Sequence, residues 1–114
     1  MNENIDSHQL TTAYSFEGYK ITAHHGIISG DAVLGTGFAS EFSAAFSDFF
    51  GTKSDAFAEK MIEVKNAAKQ RLIIQSVQLG GNAIIGVDFD YVTFGNNMIG
   101  VSANGTSVTI EKIE

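Results

Sequence analysis

LGGNAIIGVDFDYVTFGNNMIGVSANG, residues 79–105, reads as the end of a helix, a strand, a tight turn and a returning strand. From Ala83 to Val92 the residues alternate with period two, which predicts a strand. Ile85, Val87, Phe89 and Tyr91 are expected on one face, and Ile84, Gly86, Asp88 and Asp90 on the other. Gly95-Asn96-Asn97 supplies residues that accept positive φ, as a hairpin turn requires. Met98 to Ala103 is the return strand, with Ile99, Val101 and Ala103 on one face. Asn104-Gly105 reads as a bulge or kink before a last strand, Thr106 to Ile110.

Working outward, Ser54 or Asp55 opens the main helix, which runs to about Leu79 and is stopped by Gly80-Gly81. At helical period Phe57, Met61, Val64, Ala68, Leu72 and Leu79 form a stripe that should cover the sheet. Ile62, Ile73, Ile74 and Val77 fall on a largely different face, and a helix with two apolar faces needs two partners. The second partner is either a neighbouring subunit or a short helix over Gly37 to Phe50. There Phe38, Phe42, Phe46 and Phe49 or Phe50 recur at spacings of three and four. Such an aromatic stripe is packing material. Tyr19 to Gly35 is rich in β-branched residues and is interrupted by Gly26 and Gly30, which predicts one long bent strand or two short ones. Leu10 to Tyr14 reads as a short strand, Glu17-Gly18 as a turn, and residues 1–9 as a loose polar end. The expectation is one α+β domain over residues 10–114.

Composition narrows the function. Net charge is −6 with only 7 basic residues, which argues against a nucleic-acid surface. No cysteine is present, so thiolate nucleophiles, disulfides and cysteine-ligated zinc or iron–sulfur sites are excluded together. No apolar run is long enough to span a bilayer, and MNENIDSHQL lacks the basic and apolar parts of a signal peptide. A cytoplasmic address is expected, with no nucleic-acid or membrane partner. Proline is absent, so turns fall to the 12 glycines and to Asn and Asp.

Several ordered motifs carry a resemblance. They are Glu17-Gly18, Gly26-Ile27-Ile28-Ser29-Gly30-Asp31 with Val33-Leu34-Gly35, and Asp48-Phe49-Phe50-Gly51 with Ser54. Leu79-Gly80, Asn82-Ala83-Ile84-Ile85-Gly86-Val87, Phe89-Asp90-Tyr91, Met98-Ile99, Val101-Ser102-Ala103 and Gly105-Thr106 follow. With these the chain resembles the YbjQ-like family of small uncharacterised proteins, from about residue 10 onward. The resemblance implies a dodecin-like subunit, an antiparallel sheet with a long helix across it. It also implies a ring-shaped homo-oligomer, a pentamer, in which neighbouring sheets and helices interlock. The family carries a heavy-metal-binding label. This chain departs from its relatives where they can carry Cys, having His25, and two residues earlier, where Ala23 replaces an acid. The loop before the main helix is altered to Gly51-Thr52-Lys53-Ser54.

Candidate chemistry is sparse. His24 and His25 are consecutive on a strand, so their rings point to opposite faces unless a bulge at Gly26 intervenes. The plain alternative is a strand histidine that packs or hydrogen-bonds. Asp88 and Asp90 share a face, and two close carboxylates favour a cation or a basic partner. That is the case for a cation site or for an intersubunit ion pair with Arg71 or a lysine; an ordinary solvated face explains them equally. Gly35-Thr36-Gly37 lacks the rest of a dinucleotide fingerprint, and Gly51-Thr52-Lys53-Ser54 lacks the glycine before Lys of a phosphate loop. Ser7-His8 falls in the loose end.

The sequence thus leads to a non-enzymatic ring that binds a small ligand or cation or acts as a scaffold, with Ile62, Ile73, Ile74 and Val77 at the subunit contacts. The alternative is divalent or heavy-metal binding by His25 with Asp88 or Asp90, a divalent metal ion being the one cofactor considered. An enzyme with a site between subunits stands third, and no catalytic residue is assigned.

Overall fold

The computed structural model describes residues 7–34, 54–94 and 98–114. Among these residues four strands and one helix make two layers: β1 (Gln9–Leu10), β2 (Tyr19–Leu34), α1 (Ser54–Gln78), β3 (Ala83–Phe94) and β4 (Met98–Lys112). The sheet order is β1-β3-β4-β2. β1 runs parallel to β3 and the other neighbours are antiparallel, so the expected antiparallel sheet is corrected to a mixed one, the N-terminal segment adding a parallel edge strand. The expected Phe-rich helix and the Gly95-Asn96-Asn97 turn lie outside the described residues.

α1 begins and ends where its sequence signals place it. At its C-terminus the Gly81 N–H returns to the Ser76 carbonyl at 2.9 Å, the hydrogen bond by which a glycine closes a helix. Met61, Val64, Ala68 and Leu72 face the sheet and are buried or half-buried. Leu79 is exposed, and the side chain of Phe57 lies outside what is described.

Strand β2 is a single 16-residue strand. Its bends lie at Thr22 and His25, each an extra residue relative to β4. Gly30 serves close approach instead: a Cβ there would collide with the backbone of Ala68, Arg71 and Leu72. The helix therefore rests directly on β2. Gly105 does similar work within β4, since a Cβ would stand 2.6 Å from Ile84 Cγ2. The kink expected at Asn104-Gly105 is absent, and β4 runs unbroken to Lys112.

The irregularity sits opposite, in β3. Ile85 pairs with Thr106 and Asp88 with Asn104, so β3 carries one residue more than β4 between these points. Gly86 absorbs it at φ +63°, a conformation that a side chain would resist. The bulge inverts the alternation. Ile84 and Val87 both join the cluster under α1, whereas Ile85 faces the other side with Ala83, Val108 and Ile110. The expectation that Ile85 shares a face with Val87 and Phe89 is thereby corrected.

The N-terminal segment is also better held than its polarity suggests. Gln9 and Leu10 pair with Ala83 and Ile84, and His8 is 9% exposed. Beyond β1 the chain keeps contact with the bulge, through Gly86 N–H to Ala13 O at 2.8 Å and Val87 N–H to Thr11 O at 3.0 Å. Phe16, Tyr19 and Ile21 then cover Ala83, Ile85, Val108 and Ile110 on the outer face of the sheet.

Candidate functional site

The residues singled out for metal binding do not meet. Asp88 and Asp90 follow the Gly86 bulge on β3 and pair with Asn104 and Ser102, on the sheet face turned away from α1. Continuing across β4, Asn104 pairs with Ser29 and Ser102 with Asp31. Two polar rows result, Asp88–Asn104–Ser29 and Asp90–Ser102–Asp31. Asn104 Nδ2 donates to Asp90 Oδ2 at 3.2 Å, and Ser29 Oγ donates to Asp31 Oδ1 at 3.4 Å. Ser29, Asp31, Ser102 and Asn104 escaped the sequence reading because cross-strand register is not written in any one segment.

His25 is elsewhere. It lies in the β2 bulge beside Val108 and Ser107, and its Nε2 stands 2.7 Å from Thr109 Oγ1. The Thr109 hydroxyl is also within reach of Gly80 O, at 3.4 Å. That hydrogen bond is on the helix side of the sheet. The carboxylates are on the outer side, four and six residues along β4 by register, or about 13 and 20 Å at 3.3 Å per residue. Among the described residues no three His, Asp or Glu groups converge as metal ligands would. One chain does not fit the ion that His25 with Asp88 or Asp90 was expected to hold. Arg71 meets neither carboxylate; its guanidinium donates to the backbone carbonyl of Asp31.

The expected subunit-contact face also divides. Ile73 is 4% exposed, buried within the chain's own core, and Val77 packs against the same cluster. Both belong to the cluster that α1 makes with residues of β2, β3 and β4, to which Leu10 of β1 adds. Ile62 and Ile74 do point outward, 57% and 41% exposed. They are twelve residues apart, about 18 Å along the helix, and so do not make one continuous patch.

A serine–histidine contact does exist, at the N-terminal end expected to be loose. His8 Nε2 lies 2.7 Å from Ser76 Oγ, which lies 2.6 Å from Ser107 Oγ. Both hydroxyls are fully buried, and a Cβ on Gly81 would strike them. No substrate reaches these atoms. The chain of contacts is a polar staple joining the N-terminal segment, the end of α1 and β4.

Among the described residues, half of the outer sheet face has no cover. No described residue covers the two polar rows or the row beyond them, in which Val33 and Val92 flank Gly100. Gly100 floors a trench of about 300 Å³ between those two valines. The outer edge of β3 is likewise unpaired by any described strand from Asp88 to Phe94. No helix among the described residues is long and apolar enough to cross a membrane.

Comparison with known proteins agrees with this fold. Residues 9–111 match the model of the YbjQ family described as "Putative heavy-metal-binding". A UPF0145 protein of Acetivibrio thermocellus is 38% identical over 104 residues, covering 90% of this chain and 98% of that one. One from Carboxydothermus hydrogenoformans is 36% identical over 102 residues, covering 90% and 95%. A crystal structure from Pediococcus pentosaceus, of a DUF74-family protein of unknown function, superposes with a TM-score of 0.59 at 18% identity. It covers 91% of this chain and 98% of its own, and shows the fold alone.

Proposed function

The chain belongs to the YbjQ family, and from that premise we propose that it is a cytoplasmic, non-enzymatic subunit of a ring-shaped homo-oligomer, a dodecin-like pentamer. The ring serves as a scaffold or holds a small ligand or cation. The observation that carries this reading is the half-sheet without a described cover. Val33 and Val92 are about half exposed on an ordered strand surface, where a single small domain gains by covering apolar groups. The outer edge of β3, which no described strand pairs from Asp88 to Phe94, and the outward Ile62 support it. Sedimentation equilibrium tests it: the expected mass is five chains of 12.2 kDa, and a monomer at micromolar concentration removes the reading.

A second reading draws on the family's description: divalent or heavy-metal binding by His25 with Asp88 or Asp90. These groups occupy opposite faces of one sheet, so a shared ion requires them to come from different copies. Titration calorimetry of metal-free protein with zinc, copper, nickel and manganese decides it. Heat no greater than that of buffer excludes the idea.

A further inference from the structure

β2 ends the sheet, and no described strand pairs with its outer edge. Two side chains of α1 reach that edge. Gln75 Oε1 accepts from the backbone N–H of Ser29 at 3.2 Å, and Arg71 Nη1 donates to the backbone C=O of Asp31. On an edge strand, alternate residues direct both backbone groups away from the sheet, so Ser29 and Asp31 belong to the same outward set. The spacings agree. Residues four apart on a helix rise about 6 Å, and residues two apart on a strand about 6.6 Å. Gly30, between the two capped positions, allows this closeness, because any side chain there would push Leu72 and Arg71 away.

We propose that Arg71 and Gln75 form an edge guard, two helical side chains that hold an edge no described strand pairs with and keep β2 from pairing with β2 of a second copy. The capped groups identify the excluded occupant. If two copies of β2 paired antiparallel about a twofold axis through Gly30, Ser29 of one would lie opposite Asp31 of the other. The bonds then made would run from the Ser29 N–H to the Asp31 carbonyl, the same two groups that Gln75 and Arg71 hold. Unsatisfied, those groups lie on a 16-residue edge beside Ile27, which is 88% exposed. Long apolar edges of this kind associate unless something blocks them. The guard does not depend on the ring, since its effect is read against whatever mass the wild type shows.

Arg71→Ala/Gln75→Ala is the test, with Gln70→Ala on the same helix as control. Both residues are exposed and alanine favours helix, so the subunit should retain its circular dichroism. Exchange of the Ser29 amide, followed by fragment-resolved mass spectrometry, should become about tenfold faster in the double variant as its acceptor is lost. Light scattering should show species heavier than the wild type. Gln75→Glu retains an acceptor oxygen and should keep Ser29 protected. Unchanged exchange at Ser29, or faster exchange with a mass distribution identical to the wild type, overturns the proposal.

Discussion

Gly30 lies directly against the backbone of Leu72, with no room for a single added carbon between β2 and α1. The neighbours in the way are main-chain atoms of Ala68, Arg71 and Leu72, which no side-chain rotation can clear. Gly30→Ala must therefore lift the helix from a sheet against which Ala68 and Leu72 are fully buried. A loss of about 1–3 kcal/mol is expected, the range for overpacking a close contact. Urea unfolding measures it, and an unchanged midpoint would mean that the helix stands farther off.

The staple of His8, Ser76 and Ser107 predicts strong coupling. Ser76→Ala takes the shared hydroxyl from the other two groups in a dry region, at a cost of about 1–3 kcal/mol. Ser107→Ala removes one end of the same chain. The double variant should be more stable than the sum of the single losses implies, by about 0.5–1.5 kcal/mol, because the second change removes a group already without its partner. Simple additivity in a denaturation cycle would show that the hydroxyls do not depend on one another.

The outline of the fold was legible because its signals are local. The period of α1, the Gly80-Gly81 stop and the alternation in β3 each lie within a few residues. What escaped depends on events between segments. One extra residue at Gly86 reverses the facing of everything before it relative to Asp88, so Ile85 was placed on the wrong side. Ile73 and Val77 join the same core as Leu72, with Leu10 of β1 against it, and a polar-looking N-terminus gives no sign of that last contact. His25 and Asp90 seemed joinable because a sequence carries neither the width of a sheet nor its two faces. The site is correspondingly less legible than the fold.

That separation has a measurable consequence. His25→Ala and Asp90→Ala lie roughly 20 Å apart by strand rise and share no partner, so their effects on stability should add within about 0.5 kcal/mol. His25→Ala leaves the Thr109 hydroxyl with only its long bond to Gly80 O. Asp90→Ala frees Asn104 on an open surface and should cost the smaller amount. A coupling above 1 kcal/mol in the presence of zinc, absent without it, would show that the two residues share an ion between copies.

The two isoleucines first assigned to a common contact face should behave in opposite ways. Ile73→Asp places a carboxylate in the core formed with Leu72, Ile84 and Val101, without a partner to offset its desolvation. Several kcal/mol of destabilisation is expected, enough to prevent folding of a domain this small. Ile62 is outward, so despite weak repulsion from Glu59 and Glu63 nearby on α1, Ile62→Asp should leave subunit stability within about 0.5 kcal/mol of the wild type. If Ile62 lies in a ring contact, the same substitution lowers the mass in sedimentation while circular dichroism stays unchanged. Folded Ile62→Asp protein at full wild-type mass would place the contact elsewhere, leaving the half-sheet around Val33 and Val92, which no described residue covers, as the surface to substitute next.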